Sequence, residues 1–151
     1  MIEVVVRRKP PKGTVSTLRK ALKALLAHFG VGGHGLTVVL TDDTEIRQLK
    51  CAHFGVDEAT DVLSFPSWKP TDTFIPPHLG DIVISLDTSA RQAQDHGCSL
   101  VEELVLLVSH GMTHLMGHDH PHADGFDPSL AQGPEWDTFH ESARVARLAC
   151  G

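Results

Sequence analysis

Four histidines lie within twelve residues of this chain, in the segment SHGMTHLMGHDH at residues 109 to 120. His110 and His114 are four residues apart in an otherwise apolar stretch, which favours a helix that carries both rings on one face, one turn apart. Gly117 can end that helix in a left-handed conformation, so that the chain turns back and His120 reaches the same point. Three imidazoles at this spacing predict a zinc site whose fourth tetrahedral position stays open for water, which is typical of a catalytic metal.

The same spacing, H-x3-H-x2-G-x2-H, is found in metzincin proteases, but Gly111 stands where those enzymes carry a glutamate. That glutamate takes a proton from the metal-bound water, and such general acid–base help is worth about two to four orders of magnitude in rate. Its absence argues against a peptidase. His118 and His122 flank the third ligand and are alternatives to it, or else plain loop residues. Asp119 could accept an imidazole N–H and so fix the tautomer of a ligand.

The composition is that of an ordinary globular protein. With 151 residues and a formal net charge of −6, the chain fits one domain spanning residues 1–151. No stretch approaches the roughly 18 apolar residues of a membrane helix, and the first residues do not have the pattern of a secretory signal. Three scattered cysteines predict neither a disulfide framework nor a thiolate metal site. We therefore expect a cytoplasmic protein.

Charge is distributed unevenly along the chain. Residues 1–50 carry nine Lys and Arg against four acids, a balance of +5, whereas residues 51–151 carry four against fifteen, a balance of −11. The negative total argues against a protein that holds nucleic acid by its net charge. The N-terminal cations could form one basic face or only a solvated helix flank. They are Arg7, Arg8, Lys9, Lys12, Arg19, Lys20 and Lys23.

Apolar periodicity and turn signals predict nine elements in the order β-α-β-α-β-β-α-α-α. This order indicates an α+β domain with a small mixed sheet of about four strands, packed with about five helices. The strands are predicted in IEVVVRR, LTVVLTDD, DVLSFP and GDIVISL. The most apolar helix, LVEELVLLVSHGMTHLM, opens on a capping box of Ser99 and Glu102. It is the expected central helix of a zincin-like arrangement, with the three-histidine site at its end.

Residues that start helices are also visible in the sequence. Side chains that can cap a helix precede the first two helical patterns, and a proline precedes the last. The predicted starts are Thr14 or Ser16 for the first helix, Asp42 or Asp43 for the second, and Pro134 for the last.

Three sequence blocks resemble one known family. HGMTHLMGHDH, together with TDVLSFP at residues 60–66 and GDIVIS at residues 80–85, is similar to the YbeY family of single-strand-specific endoribonucleases, which act in ribosomal RNA maturation. The resemblance implies an α+β fold and one zinc ion held by His110, His114 and His120, with His114 also catalytic. It implies action in the cytoplasm on single-stranded rRNA, at the 3′ end of small-subunit rRNA, and on defective ribosomes.

The resemblance also nominates residues of a substrate cleft. The strand block borders the metal cleft in such proteins, which makes Asp61, Ser64, Phe65 and Asp81 candidates for positioning substrate. Phe65 could equally be a core residue and Asp61 a cap at the strand entry. Phe54 stands where many family members carry an arginine that is thought to help bind or cleave RNA. A phenyl ring cannot bind phosphate as a guanidinium does. Either a nearby cation or stacking of Phe54 on an unpaired base therefore replaces the contact of the arginine, or RNA cleavage by this protein is weak.

Three functions are compatible with these residues. The first is a metal-dependent RNA hydrolase with single-stranded RNA, rRNA and the small ribosomal subunit as partners. The second is a ribosome assembly factor with a structural zinc, which Phe54 and the negative net charge favour. The third is a minimal metallopeptidase, which the histidine spacing favours and Gly111 disfavours. Three imidazoles also accept nickel, cobalt or copper, so the ligand set alone does not single out zinc.

Overall fold

The computed structural model describes residues 1–119 and 136–151 of the chain. They contain four strands and five helices in the predicted order, so the α+β prediction is confirmed. The strands are β1 (Ile2–Val6), β2 (Gly35–Thr41), β3 (Val62–Pro66) and β4 (His78–Ser85). The helices are α1 (Thr14–His28), α2 (Asp43–Phe54), α3 (Leu86–His96), α4 (Leu100–Leu115) and α5 (Asp137–Cys150). Two predicted features, His120 as a ligand and Pro134 as a helix start, lie outside the described residues.

The four strands form one mixed sheet in the order β1-β2-β4-β3. Strands β1, β2 and β4 are parallel, and helix α1 makes the crossover from β1 to β2. Strand β3 runs antiparallel to β4 and is an edge strand. The register pairs Ser64 with Ile82 and Phe65 with Asp81. Successive residues of β3 therefore lie beside successive residues of β4.

Different helices cover the two faces of the sheet. Ile82 and Ile84 of β4 belong to a large core with α1 and α4, whereas Val83 between them belongs to a smaller core with Ile46 of α2. Successive side chains of a strand point to opposite faces. The position of a residue along β3 or β4 therefore decides whether its side chain lies on the α4 side or on the α2 side.

Helix α4 is the central helix of the fold, and every residue from 103 to 113 is buried. Its predicted capping box is present: Ser99 Oγ accepts a hydrogen bond from the Glu102 N–H at 3.1 Å, and Glu102 Oε1 accepts one from the Ser99 N–H at 3.2 Å. This pair satisfies two backbone donors at the helix start. No helix within residues 1–119 or 136–151 is long and apolar enough to cross a membrane.

Helix α4 ends at Leu115, and Gly117 adopts the left-handed conformation after it that the sequence predicts. Gly117 has a φ of 90°, its N–H donates to the carbonyl of His114 at 2.9 Å, and the N–H of His118 donates to the carbonyl of Thr113 at 3.2 Å. These two bonds form a Schellman cap, which requires the left-handed conformation that glycine adopts without strain. A Cβ atom at Gly117 would also lie 2.3 Å from Cγ of Pro70. The glycine therefore sets both the turn after the helix and its approach to the connection before β4.

The starts of α1 and α2 differ from each other. Asp42 caps α2, as predicted, by accepting a hydrogen bond from the Glu45 N–H at 3.0 Å. Helix α1 follows Gly13 without a side-chain cap. Thr14 is already helical, and its hydroxyl donates to the carbonyl of Pro11 at 2.6 Å. The expectation that Thr14 or Ser16 caps α1 is wrong. Gly13 occupies the N-cap position, and the Thr14 hydroxyl is hydrogen-bonded to the Pro11 carbonyl in the turn before the helix.

Asp43 connects the start of α2 to the start of α3. Its Oδ1 atom accepts hydrogen bonds from the hydroxyls of Ser85 and Thr88, both at 2.6 Å, and its Oδ2 atom accepts one from Arg91 at 2.8 Å. Partial burial acts to raise the pKa of Asp43, but these hydrogen bonds and the charge of Arg91 outweigh it and lower the pKa from 3.8 to about 2. The ionised carboxylate therefore stabilises the folded chain.

The contribution of Asp43 should depend on pH. Because its pKa is lower in the folded than in the unfolded chain, the stabilisation is complete above the ordinary pKa of 3.8 and is lost as the pH falls through about 2. We expect Asp43→Asn to lower the free energy of unfolding by about 1 kcal/mol at neutral pH, since solvent screens a partly exposed group. Urea unfolding across the acid range should show this difference disappearing. Asp95→Asn, at an exposed position of α3, is the control. A pH-independent difference for Asp43→Asn would contradict the assignment.

Candidate functional site

His110 and His114 lie on the same face of α4, one turn apart, as their spacing predicts. Their Nε2 atoms are 3.0 Å apart and their ring centroids 4.6 Å apart. The side chain of His110 is buried at 6% exposure, whereas His114 is partly exposed. The two ring nitrogens therefore converge on one point at the boundary between the core and solvent.

A backbone carbonyl fixes the tautomer of His114. Its Nδ1 atom lies 3.0 Å from the carbonyl oxygen of His118. Because a carbonyl only accepts hydrogen bonds, Nδ1 carries the proton, and the lone pair of the neutral ring is on Nε2. The carboxylate of Asp119, which the sequence suggested for this role, is 3.9 Å from the same Nδ1 atom. The Schellman cap that ends α4 thus also sets the tautomer in which the Nε2 lone pair of His114 points away from the cap.

The two Nε2 atoms fit the donor requirement of zinc. Ligand nitrogens about 2.0–2.1 Å from a tetrahedral zinc ion lie about 3.3 Å apart. The observed separation of 3.0 Å is close to this value. The predicted third ligand, His120, and its alternative His122 lie outside the described residues. Among the residues that are described, no group of three His, Cys, Asp or Glu side chains could hold a metal ion, so the three-ligand centre stays a prediction.

Phe139 of α5 forms an aromatic wall against both histidines. Its ring centroid lies 5.0 Å from that of His110 and 5.1 Å from that of His114, and it is buried together with Trp136 and Leu106. A buried ring packed on both imidazoles restricts their rotamers and excludes water from one side of the pair. The sequence shows only that the last helix is amphipathic, which does not reveal the partner of its apolar face.

Buried hydroxyls join α4 and α5 beside this wall. Thr113 Oγ1 and Ser142 Oγ are 2.9 Å apart, and both side chains are fully buried. Each hydroxyl also lies within 2.8 Å of a carbonyl one turn earlier in its own helix, that of Ser109 or of Thr138. Because buried polar groups are costly when they lack partners, this contact favours one register of α5 on α4. The register in turn places Phe139 on the histidines.

Gly111 faces the sheet and not the convergence point of the histidines. A Cβ atom at this position would lie 2.8 Å from Cγ2 of Ile82 in β4. The carbonyl of Gly111 accepts a hydrogen bond from Ser64 Oγ of β3 at 3.2 Å. Any side chain at position 111 would have to enter the contact between α4 and the sheet. The position at which metzincins carry their glutamate therefore cannot supply a base in this fold.

Comparison with known proteins settles the family of this chain. Residues 7–127 match the family model described as Endoribonuclease YbeY. A relative of that description from Deinococcus radiodurans is 54% identical, over 97% of this chain and 96% of its own. Another from Thermus thermophilus is 58% identical, over 80% of this chain and 86% of its own. The chain belongs to the YbeY endoribonuclease family.

Membership of the YbeY family confirms the resemblance seen in the sequence, and with it the predicted enzyme class, an endoribonuclease. The solution structure of a Thermotoga maritima protein matches the fold with a TM-score of 0.63 and 22% identity, covering 97% of this chain and 89% of that one. At this identity the likeness concerns the fold alone. Helix α5, which carries Phe139, lies beyond the residues 7–127 that match the family model.

Three of the four nominated cleft residues lie on the neighbouring strands β3 and β4, but on different sides of the sheet. Ser64 is on the α4 side, where its hydroxyl contacts the carbonyl of Gly111. Phe65 and Asp81 pair across β3 and β4 and line a cavity on the α2 side. The sheet therefore separates Phe65 and Asp81 from the histidines, while Ser64 lies beside the helix that carries them.

The fourth nominated residue, Asp61, is buried at the entry of β3. Its Oδ1 atom accepts a hydrogen bond from the N–H of Val62 at 2.7 Å, and its carbonyl accepts one from the N–H of Ser85 at 2.9 Å. Burial raises the pKa of Asp61, against the opposing effect of hydrogen bonds from Val62, Gln92 and Thr60. These contacts fix the point at which β3 joins the sheet. Asp61 therefore has the role of a cap at the strand entry, the alternative to positioning substrate that was considered from the sequence.

The N-terminal cations do not act as one set. Arg7 and Arg8 form ion pairs with Glu45 and Asp87, and Arg19 donates to the carbonyl of Ile2 at 2.6 Å. Four lysines at the start and along the flank of α1 are exposed: Lys9, Lys12, Lys20 and Lys23. The basic face considered from sequence is thereby reduced to these lysines and Arg19, because the charges of Arg7 and Arg8 are locally neutralised by their carboxylate partners.

The close contact at Gly111 leads to a stability prediction. Alanine is about 1 kcal/mol better than glycine in a helix, yet we expect Gly111→Ala to lower the free energy of unfolding by about 1–3 kcal/mol, because the new methyl group overlaps Ile82. Urea unfolding measures the change. The loss should be smaller in an Ile82→Ala background, and equal losses in both backgrounds would contradict the clash. Gly32→Ala is the control, because a Cβ there meets nothing within 4 Å.

Proposed function

We propose that this protein is a zinc-dependent, single-strand-specific endoribonuclease of the cytoplasm. Its substrate would be rRNA, at the maturing 3′ end of small-subunit rRNA and in the quality control of defective ribosomes. The observation that carries the proposal is the convergence of the His110 and His114 Nε2 atoms, 3.0 Å apart, in a chain of the YbeY family. His120, outside the described residues, would be the third ligand.

When bound, zinc would supply an acidified water and stabilise charge on the phosphoryl oxygens of the scissile phosphate. The residues of the chain prepare the site for it. The carbonyl of His118 keeps the proton of His114 on Nδ1, so that the lone pair of the neutral ring is on Nε2. Phe139 holds both rings from the core side and excludes water there. RNA would approach from the side on which His114 is partly exposed.

The same geometry argues against peptide hydrolysis. In a metallopeptidase, a glutamate beside the first histidine takes a proton from the metal-bound water. Here that position is Gly111, in contact with Ile82 of the sheet. Phosphodiester cleavage relies more strongly than peptide hydrolysis on stabilising the charge around the phosphate, and a metal ion can provide most of that stabilisation. The endoribonuclease is therefore the better reading of the site than the peptidase.

Preference for single strands is supported by an exposed aromatic ring. The side chain of Phe54, at the end of α2, is 55% exposed. Aromatic faces on a protein surface stack on bases that are not already stacked and paired in a duplex, and this interaction tolerates different sequences. A ring at this position thus gives unpaired RNA a contact that a duplex cannot make.

The metal site is tested most directly at His114. We expect His114→Ala to bind little zinc and to cleave single-stranded rRNA-like substrate at least about 100-fold more slowly than the wild type. Replacing a residue that only supports a metal ligand already lowers activity by up to about 100-fold, and removing the ligand itself should cost more. Metal content by mass spectrometry and cleavage rate should be measured on the same preparations. His28→Ala, an exposed histidine on α1, is the matched control.

The outcomes separate the alternatives. Unchanged cleavage by the His114→Ala protein would overturn the zinc mechanism. Bound zinc without cleavage by the wild type would favour the assembly factor with a structural metal. Cleavage of unfolded protein by the wild type, abolished by a chelator, would favour the peptidase.

Phe139 is expected to contribute to metal affinity without touching the metal. Replacing it with leucine keeps an apolar core but removes the flat wall that both imidazoles contact, so their rotamers become less restricted. We expect Phe139→Leu to weaken zinc binding by about tenfold, which is the lower end of the loss in metal affinity found when a residue that supports a metal ligand is replaced. Competition with a chromophoric chelator measures the zinc affinity. Leu22→Ala, a core change in α1, should lower stability and leave zinc affinity unchanged. Equal affinity in the Phe139→Leu and wild-type proteins would show that the wall is only structural.

A further inference from the structure

The cavity lined by Phe65 and Asp81 lies on the α2 side of the sheet, opposite the face that α4 covers. It has a volume of about 330 Å³ and is lined in part by three apolar side chains, Val39, Leu49 and Val83. His53 and Phe65 add aromatic rings to its lining. Its size is at the lower end of ligand pockets, which suits one flat ring system better than an extended ligand.

Three aromatic rings form a series, of which two, His53 and Phe65, line this cavity and the third, Phe54, lies beside Phe65. His53 and Phe65 have centroids 4.9 Å apart, and Phe65 and Phe54 have centroids 6.0 Å apart with only 31° between their planes. The outermost ring, Phe54, is largely exposed. Exposed aromatic faces are the surfaces on which proteins stack unpaired bases. The series leads from solvent, at Phe54, to the cavity, at Phe65.

The polar groups of the cavity are unequally available. Glu45 is engaged on both oxygens, by the ion pair with Arg7 and by the hydroxyl of Thr41 at 2.6 Å. The side chain of Asp81 is 50% exposed, with Oδ1 3.7 Å from Nε2 of His78. A carboxylate accepts hydrogen bonds only, and in nucleic-acid recognition it pairs with the exocyclic amino group of cytosine. Asp81 therefore suits a base that carries an amino group.

The edge strand β3 connects this cavity to the histidine site. Ser64 contacts the carbonyl of Gly111 on the α4 side, and Phe65, the next residue, lines the cavity on the α2 side. No other strand of the described sheet lies beyond β3. An RNA strand that passes over this edge can therefore reach both sides of the sheet with neighbouring nucleotides.

We infer that the cavity is a subsite for one unpaired, amino-bearing nucleobase of the RNA substrate. The base stacks on Phe54 and Phe65, and Asp81 accepts a hydrogen bond from its amino group. The phosphate to be cleaved lies across the β3 edge, on the histidine side. This inference rests on the proposed function, since it concerns the same RNA strand.

The experiment measures binding and cleavage separately. Fluorescent single-stranded RNA oligonucleotides, each with one abasic nucleotide at a different position, are titrated against the zinc-loaded, full-length protein by anisotropy, and cleavage is followed in parallel. We expect one abasic position, at a fixed offset from the cleavage site, to weaken binding to the wild type by about tenfold. In Phe54→Leu and Phe65→Leu proteins the intact RNA should bind about tenfold more weakly, and that abasic position should have little further effect.

The choice of base is tested at Asp81. Cytosine at the sensitive position should bind more tightly than uracil, whose corresponding group is a carbonyl acceptor, and Asp81→Asn should remove most of the difference, because an amide can donate as well as accept. Leu148→Ala, an exposed apolar position on α5, is the control for nonspecific surface effects. Phe54→Leu guards against misfolding, because Phe54 is exposed whereas Phe65 packs on a core cluster.

The results distinguish the subsite from the proposed function. Base-dependent binding that requires Phe54 and Phe65 would support the subsite even if no RNA were cut, and the proposed function alone would fail. Cleavage that is indifferent to every abasic position and to both phenylalanine variants would overturn the subsite and leave the ribonuclease intact. Unchanged RNA affinity combined with weaker binding of the variants to purified small ribosomal subunits would also overturn it, and would assign the surface to a protein partner.

Discussion

The contact between Gly111 of α4 and Ile82 of β4 sets the geometry on which the histidine site depends. A helix whose facing residue lacks a Cβ atom can approach a sheet closely, and here even one methyl group would overlap Ile82. The approach brings the carbonyl of Gly111 within reach of the Ser64 hydroxyl, which joins α4 to the edge strand. With position 111 facing the sheet, positions 110 and 114 are turned to its side, toward α5 and solvent. The same constraint that places the histidines removes the position of the protease glutamate.

Helix α5 completes a site that α4 alone would leave open. Two imidazoles on adjacent turns have several rotamers in an isolated helix, and ordering them has an entropic cost. Phe139 restricts both rings from one side, while the carbonyl of His118 holds Nδ1 of His114 from the other. Thr113 and Ser142 fix the register of the two helices through a buried contact that a shifted pairing would break. The geometry of the histidine pair is therefore set by two packed helices and a helix cap.

Local rules account for what the sequence could reveal. The shared face of His110 and His114, the capping box at Ser99 and the left-handed Gly117 depend on residues within a few positions of one another, and each was readable as a pattern. The contact of Phe139 with the histidines was not, because nothing in an amphipathic helix names its partner. For Phe65 and Ser64 a signal did exist: neighbours in a strand point to opposite faces, so one of the two had to lie away from the histidines. What the sequence could not supply was which helix covers which face, since that follows from the packing of α2 and α4 on the sheet.

Electrostatics constrains how such a chain can hold RNA. Five of its seven arginines are in ion pairs with carboxylates, including Arg7 with Glu45 and Arg91 with Asp43. Each paired guanidinium offers less charge to a phosphate, and the formal net charge of −6 repels a polyanion at long range. Binding through many released counterions is therefore disfavoured. Affinity has to come from contacts that are indifferent to this charge, such as stacking on exposed rings. A negatively charged protein with exposed aromatic rings is thereby suited to bind RNA through a few defined contacts.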